Sequence, residues 1–252
     1  MKKLLPCIAL TLSSIALVPL AQADMAGIEV GTYQWSPDYI GTLSADGELT
    51  GTTVNLEDDL GFGDENHNVV WASLEHPLPF IPNFKMVVSD FDATASSVDG
   101  VEFTFNDVSF TETVTTRMDF RNTEYTMYYE LLDNWINLDA GLTLRKYDGS
   151  LEIAGTTTGD TATEILDFTI PLLYAAARVD LPFTGFFIDA QINTISSDDD
   201  KMTDSSLALG YESDIGLGAK AGYRSFDMEV VEDGFNSDIE FSGAYISVFY
   251  HF

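Results

Sequence analysis

Histidine is scarce in this chain, and one of the three histidines has neighbours that suggest chemistry. His67 follows an Asp-Glu-Asn run, whereas His76 precedes a proline and His251 is the penultimate residue. A histidine oriented by a carboxylate can act as a general base and activate water for hydrolysis. No nucleophile or second catalytic group accompanies His67 at a recognisable spacing, so the sequence predicts no enzyme and keeps a hydrolase as the third hypothesis.

Two acid-rich stretches carry the oxygen ligands that Ca²⁺ and Mg²⁺ prefer. They are Glu57, Asp58 and Asp59, and Asp198, Asp199 and Asp200. Neither stretch has the spacing of an EF-hand loop, and a run of carboxylates is also typical of a solvated loop. The sequence therefore predicts no cofactor and no resident metal. These six residues are the metal candidates that remain, or points where divalent ions bridge the chain to lipopolysaccharide phosphates.

A third group of charged residues occupies alternate positions in stretches whose other face is apolar. In Ile136–Leu144, for example, Leu138 and Leu142 share one face and Asp139 lies on the other. This period of two predicts β-strands. A second face rich in Gly, Asn, Gln and Thr, with charges of both signs, indicates a barrel interior whose apolar outer face meets lipid. The residues predicted to form this polar network of the lumen are Glu130, Asp139, Arg145, Arg178, Asp180, Asp189, Glu212, Lys220 and Arg224.

Ten stretches show this alternation. They are Ala26–Trp35, Asn68–Glu75, Phe84–Ala95, Glu124–Leu131, Ile136–Leu144, Leu173–Leu181, Phe186–Asn193, Ser205–Glu212, Leu217–Arg224 and Phe241–Phe252. Between them, short and long links alternate. The short links are Pro77–Asn83, Asp133–Trp135, Pro182–Gly185 and Ser213–Gly216. The long links are Ser36–His67, Ser96–Thr116, Tyr147–Glu164, Ser196–Asp204 and Met228–Ser237.

Alternating link lengths are typical of outer-membrane barrels, which have tight periplasmic turns and longer external loops. The sequence therefore predicts an all-β chain that forms a transmembrane up-and-down antiparallel β-barrel of ten strands, with both termini periplasmic. A barrel of eight strands is the alternative. The long links carry most of the acid runs; Ser36–His67 has eight acidic residues and no Lys or Arg. We expect these links to be acidic extracellular loops.

The beginning of the sequence has the three parts of a secretory signal peptide. Lys2 and Lys3 precede the mostly apolar stretch 4–20, and Ala21-Gln22-Ala23 forms an A-x-A cleavage site. We expect residues 1–23 to be cleaved and residues 24–252 to form the barrel domain. Cleavage changes the formal net charge from −30 to −32, because only the two lysines are lost. A chain this acidic is not expected to bind nucleic acid.

The end of the sequence resembles the C-terminal signature of bacterial outer-membrane β-barrel proteins, with Phe252 preceded two positions earlier by Tyr250. The resemblance implies that the barrel-assembly machinery recognises this last strand. A second stretch, LEHPLPFIPN (Leu74–Asn83), is similar to one in a family of small, functionally uncharacterised proteobacterial outer-membrane barrels. That resemblance implies a fold and a location in the outer membrane of a Gram-negative bacterium, but no activity.

Barrels with few strands are filled by side chains, whereas large porins hold a water-filled channel. Tyr128, Tyr174 and Phe187 are predicted to point inward and to obstruct the lumen. The sequence therefore predicts an integral outer-membrane protein with a plugged lumen and a structural or surface-interaction role, in contact with membrane lipid and lipopolysaccharide. A narrow channel for small solutes is the alternative function.

Overall fold

A computed structural model of the chain describes residues 27–46, 51–63, 65–97, 100, 102–197, 200–232 and 235–252. The predicted signal peptide, Asp198 and Asp199 lie outside the described residues. The strands are β1 (Ile28–Ala45), β2 (Val54–Asn55), β3 (His67–Leu74), β4 (Asn83–Asp90), β5 (Asp92–Ser96), β6 (Phe103–Phe105), β7 (Val108–Phe110), β8 (Val114–Asp119), β9 (Asn122–Leu132), β10 (Ile136–Tyr147), β11 (Gly149–Gly155), β12 (Thr161–Leu166), β13 (Thr169–Asp180), β14 (Phe186–Ser197), β15 (Asp200–Glu212), β16 (Leu217–Glu232) and β17 (Phe235–His251). In this part of the chain, no helix is long and apolar enough to cross a membrane.

Ten strands form a closed antiparallel barrel in the order β1, β3, β4, β9, β10, β13, β14, β15, β16, β17. The barrel closes because β17 pairs back onto β1, from Glu29 opposite His251 to Ala45 opposite Phe235. Each of the ten predicted stretches overlaps one of these strands. The predicted ten-stranded up-and-down transmembrane barrel is therefore confirmed, and the eight-stranded alternative is wrong.

One end of the barrel, here called the turn end, carries tight connections at residues 75–82, 133–135, 181–185 and 213–216. They match the four predicted short links. In the first of them the backbone N–H of His76 donates to Asn83 Oδ1 at 3.0 Å, and the His76 ring contacts the Pro82 carbonyl at 3.2 Å. Prolines cannot donate such bonds, so side chains complete this turn. The stretch LEHPLPFIPN therefore has a structural role here.

The opposite end, here called the loop end, differs from the prediction. The five predicted long links are largely strand rather than loop. β1 continues to Ala45, and β16 and β17 continue to Glu232 and back from Phe235. β5, β8, β11 and β12 form a second sheet in the order β12-β11-β8-β5, adjacent in sequence to the barrel strands β4, β9, β10 and β13. β6 and β7 form a separate hairpin.

The prediction of loops was wrong because the apolar residues change face part-way along the strands. On β17 the outward positions are apolar from Phe252 back to Ala244, and then polar from Ser242 to Asn236. The inward positions change in the opposite sense, and Phe241 and Ile239 are buried. β16 repeats the pattern. Towards the turn end, the outward side chains are apolar and suit contact with lipid. Towards the loop end, the outward side chains are polar and suit contact with water.

We call the described residues of 36–66, 90–123, 146–170, 195–204 and 225–243 the loop half, and the remainder the turn half. One large buried hydrophobic cluster fills the loop half, and of its members only Trp35, Leu172, Ala208 and Tyr245 belong to the turn half. The β12-β11-β8-β5 sheet, the upper parts of β1, β16 and β17, and the β6-β7 hairpin all contribute side chains to it. The loop half is therefore packed like a soluble β domain.

The outer surfaces of the two halves differ in the same way. Large exposed hydrophobic side chains of the turn half include Val30, Val70, Val88, Tyr125, Leu142, Leu173, Ile188, Leu207, Tyr223, Ile246 and Val248. Exposed acidic side chains of the loop half include Asp38, Asp46, Glu57, Asp58, Asp90, Glu102, Asp107, Asp148, Glu152, Asp160, Asp167, Glu229 and Asp238. An apolar belt with polar surface beyond it is the exterior of a membrane barrel, so the turn half spans the membrane.

Glu112 ties two connections of the loop end together. Its carboxylate accepts backbone N–H bonds from Thr157 at 2.5 Å and from Thr158 at 3.0 Å, and also the Thr158 hydroxyl. Hydrogen bonds to a carboxylate favour the charged form. They lower the pKa of Glu112 to about 2.

The boundary between the halves can be tested by placing an arginine on the outward face of β17. Val248 lies within the apolar belt, and Asp238 lies on the same face in the loop half. We expect Val248→Arg to lower the free energy of unfolding in lipid vesicles by about 2–4 kcal/mol, since the charge enters hydrocarbon. Asp238→Arg should change it by about 0.5 kcal/mol or less. Equal effects in urea titrations would contradict the assigned boundary.

The packing of the loop half can be tested on β16. Met228 is 4 % exposed and belongs to the buried cluster, whereas Val231 on the same strand is 52 % exposed. Met228→Ala should lower the free energy of unfolding by about 2–5 kcal/mol, because it removes packed volume. Val231→Ala should change it by about 0.5 kcal/mol. A loop half without a packed core would respond equally weakly to both substitutions.

Candidate functional site

The interior of the turn half contains a polar cavity of about 320 Å³, here called the turn-end basin. Its mouth lies at the turn end, where Gly27, Pro77, Asp133 and Asn137 contribute to the lining. Its other polar and aromatic lining residues are Glu29, Trp71, Ser73, Glu75, His76, Lys85, Tyr128, Glu130, Asp139, Tyr174, Arg178, Asp180, Phe187, Asp189, Gln191, Glu212, Lys220 and His251. This is the largest grouping of ionisable side chains inside the described barrel.

All nine residues predicted for the polar network lie on the inward face. Glu130, Asp139, Arg178, Asp180, Asp189, Glu212 and Lys220 line the turn-end basin. Arg224 lines a second cavity of about 50 Å³. Arg145 is 1 % exposed and borders a third cavity of about 20 Å³, next to the apolar core.

Arg145 and Arg224 are joined through Asp204. Asp204 Oδ2 lies 2.6 Å from Nη2 of Arg145 and 2.6 Å from Nη2 of Arg224, and Oδ1 accepts from Arg224 Nε at 2.9 Å. Glu124 Oε1 lies 2.8 Å from Arg145 Nη2, and the Tyr33 hydroxyl accepts from Arg224 Nη1 at 2.7 Å. The cluster links β9 and β10 to β15, β16 and β1, so it crosses the lumen and holds opposite walls together.

The sequence analysis missed two acids of this cluster. Asp204 fell at the end of the predicted long link Ser196–Asp204, because the strand β15 begins earlier than its apolar pattern indicated. Glu124 has the same parity as Tyr128 and Glu130 and could have been included on that ground. Buried arginines in a filled lumen require carboxylate partners. The inward parity of Arg145 therefore indicates that inward acids on other strands pair with it.

The second group of ion pairs lies along one wall of the turn-end basin. Arg178 pairs with Asp180 at 2.9 Å and with Glu212 at 2.8 Å, and its guanidinium lies 3.8 Å from the centre of the Phe187 ring. Lys220 pairs with Asp189 at 3.2 Å. On this wall, opposite charges meet.

The other wall carries carboxylates without a basic partner. Glu130 and Asp139 lie opposite each other on β9 and β10. Among the described residues neither of them, nor Glu75, forms an ion pair with Lys, Arg or His. Glu130 and Asp139 therefore differ from the residues of the first wall, which have basic partners. Of the basic side chains that line the basin, Arg178 and Lys220 pair with carboxylates of the first wall, and Lys85 donates to Gln191 Oε1 across the lumen at 2.6 Å.

Around the third cavity, aromatic rings fill the barrel. Phe241 is 1 % exposed, and its ring centre lies 5.0 Å from that of Phe91, 5.2 Å from Tyr39, 5.8 Å from Phe226 and 6.0 Å from Phe120. These rings come from β1, β16, β17 and the ends of β4 and β8. We call these five rings the aromatic layer.

His67, the last residue of the predicted extracellular link Ser36–His67, belongs to this buried region and not to an extracellular loop. It is 2 % exposed, its ring stacks on Phe91 at 4.0 Å, and its Nε2 lies 2.5 Å from the Tyr39 hydroxyl. Burial among aromatic rings leaves no room for a substrate beside this nitrogen. In the described part of the chain, no three His, Cys, Asp or Glu side chains come close enough together to hold a metal ion. Glu57, Asp58, Asp59 and Asp200 thus form no metal cluster there.

Comparison with solved structures finds other barrels at low similarity. The CymD monoaromatic hydrocarbon channel is 10 % identical, with 92 % of this chain and 70 % of that chain covered and a TM-score of 0.36. A Pseudomonas aeruginosa FadL homologue is 10 % identical, with 91 % and 90 % covered and a TM-score of 0.38. The P. putida toluene transporter TodX is 9 % identical, with 91 % of each chain covered and a TM-score of 0.37.

No protein-family model matches the chain, and no curated protein matches it.

Substitution of Asp204 tests the cluster that crosses the lumen. Asp204→Asn leaves Arg145 and Arg224 buried close together without the carboxylate between them, and removing one partner of a buried ion pair costs about 3–5 kcal/mol. We expect that loss in the free energy of unfolding, measured by tryptophan fluorescence in urea. Asp189→Asn, which affects a partly exposed pair with Lys220, should cost about 1 kcal/mol. Equal costs would show that Asp204 does not hold the walls together.

Proposed function

We propose that this protein is an integral outer-membrane β-barrel that neither conducts solutes nor catalyses a reaction, and that it acts through its loop half on the outside of the cell. The aromatic layer around Phe241 is the observation that carries the proposal. It lies across the interior where the strands leave the membrane, so a solute that enters from the turn end meets packed rings.

The decreasing size of the interior cavities supports closure. From the turn end upward the volumes are about 320, 50 and 20 Å³. A cavity of about 10–15 Å³ holds a single water molecule. The Arg145–Asp204–Arg224 cluster lies between the second and third cavities, so the polar interior narrows to the size of one water where it meets the aromatic layer.

The location follows from the exterior and from the sequence. The apolar belt of the turn half is suited to a bilayer, and the predicted signal peptide together with the terminal Tyr250 and Phe252 fits delivery to the barrel-assembly machinery. We place the turn end in the periplasm, because tight turns face that side in bacterial barrels. The acidic loop half then lies outside the cell.

The acidic loop half indicates the kind of partner. Its exposed acids greatly outnumber its exposed basic side chains, which in the described residues are Arg117, Arg121, Lys146 and Lys201. Such a surface repels the lipopolysaccharide phosphates unless divalent cations lie between them. We propose that Ca²⁺ or Mg²⁺ bridges the loop half to lipopolysaccharide. The role is then structural, or one of surface interaction.

A narrow channel is the second candidate, and the polar lining of the turn-end basin favours it. It requires the aromatic layer to move aside, since the rings around Phe241 are buried and in contact. A hydrolase centred on His67 is the third candidate. It requires a substrate to reach a side chain that is 2 % exposed.

Planar-bilayer recording separates the closed barrel from the channel. The refolded protein, incorporated at high density, should give no defined unitary conductance steps, since no water path passes the aromatic layer. Defined steps from the wild-type protein would overturn the proposal.

A control pair shows that the recording can detect an opening. The combined Phe91→Ala and Phe241→Ala substitutions remove two touching rings from the layer and should produce ion flux through verified, folded barrels. Phe186→Ala removes a ring of the outer face, which is 45 % exposed, and should leave the bilayer as silent as the wild type.

A further inference from the structure

The turn-end basin has an excess of negative charge that the barrel does not neutralise. Eight carboxylates and three Lys or Arg side chains line it, which gives a formal charge of −5 with both histidines neutral. A cleft lined by one sign of charge between walls of low dielectric concentrates ions of the opposite sign. A positively charged solute is therefore attracted to the mouth of the basin.

The unneutralised carboxylates are concentrated on the wall formed by β9, β10 and the end of β3. Glu130 and Asp139 face each other there, and Glu75 accepts a hydrogen bond from the Tyr128 hydroxyl at 2.8 Å. Within the described residues, Asp139 Oδ1 is buried and has no hydrogen-bond partner. A buried acceptor without a donor costs free energy, and a ligand that donates to it recovers that cost.

Tyr174 adds an independent observation. Its side chain is only 6 % exposed and lines the basin, and none of the side-chain hydrogen bonds within the described residues involves its hydroxyl. Buried tyrosine hydroxyls usually have a hydrogen-bond partner. The hydroxyl can accept a hydrogen bond from a donor in the basin, next to the acidic wall.

Gly141 brings two tyrosine rings together above that wall. It lies opposite Tyr128 on β9 and opposite Tyr174 on β13. A Cβ at this position would lie 2.7 Å from the Tyr128 Cα, so only glycine fits the close approach. The two ring centres are 5.7 Å apart. Aromatic faces attract cations, most strongly where water is excluded.

The arrangement suits an organic cation better than a metal ion. No three of the described His, Cys, Asp and Glu side chains are close enough to coordinate one metal together. A volume of about 320 Å³ is at the lower end of the range for small-molecule sites. An alkylammonium ion has several N–H donors on each ammonium group and an apolar chain. The donors can reach separated carboxylates, and the chain can contact tyrosine rings.

We propose that the turn-end basin binds a small organic cation with primary ammonium groups, which enters from the turn end. Glu130 and Asp139 accept its hydrogen bonds, Glu75 adds charge, and Tyr128 and Tyr174 cover its chain. In this view the barrel is a binding protein for such cations on its inner side and remains closed on its outer side.

Calorimetric titration of the refolded, full-length barrel in an uncharged detergent tests the site. The probe is 1,4-diaminobutane, and 1,4-butanediol is the neutral probe of matched length. We expect saturable binding of one diamine per barrel and no binding of the diol. Glu130→Gln and Asp139→Asn should each weaken the diamine affinity by about tenfold, because a neutral amide replaces the charged carboxylate. Tyr174→Phe should weaken it by about threefold, because it removes the hydroxyl acceptor. Glu152→Gln removes an exposed carboxylate outside the basin and should leave the affinity unchanged.

Three results would overturn the proposal: no saturable binding to the wild type, equal affinity in all four variants, or displacement of the diamine by Mg²⁺ at matched ionic strength. The last two would show a diffuse ion atmosphere instead of a site. Circular dichroism checks that each variant is folded. The comparison of diamine with diol uses only the wild-type protein, so it tests the site even if a variant does not fold. This outcome is separate from the conductance test, because a closed and an open barrel can both hold a cation in the basin.

Discussion

The whole structure depends on the change of surrounding medium along each long strand. A strand in a closed sheet turns one face to the medium and the other to the interior. Where the medium is hydrocarbon, the outer face must be apolar, and where it is water, the inner face must be apolar. β16 and β17 satisfy both requirements within one continuous strand, from Leu217 to Val231 and from Phe252 to Asn236. Every other feature of the interior follows from where that change occurs.

The same constraint explains why the two halves have different interiors. In the turn half the outer face takes the apolar side chains, which leaves polar and charged residues such as Arg178 and Glu212 to face the lumen. In the loop half the rings of Phe91 and Phe241 turn inward and exclude water. The cluster around Asp204 lies between these regions, where a polar interior meets an apolar one. Its arginines are buried, and carboxylates accompany both of them.

The sequence predicted the strands of the turn half, where apolar side chains face outward. It did not predict those of the loop half, where apolar side chains face inward. Strands such as Ile136–Leu144 were found because outward Leu and inward polar residues alternate through the membrane. The upper part of β1 lies in the predicted link Ser36–His67, whose acids suggest a solvated loop, and β11 lies in the predicted link Tyr147–Glu164. The position of each inward residue followed from parity. Parity does not show which charges pair, because pairing depends on distances across the lumen between strands far apart in sequence.

The pairing of β17 with β1 has a consequence for how the molecule is made. The ladder from Glu29 opposite His251 to Ala45 opposite Phe235 joins the first and last strands of the barrel. Until it forms, two long edges of unpaired amide and carbonyl groups stay open, and hydrocarbon offers them no hydrogen-bonding partner. Loss of the last strand would thus leave a curved sheet that can neither enter the bilayer nor stay soluble. An assembly factor that holds this edge until β1 arrives would protect the chain from self-association.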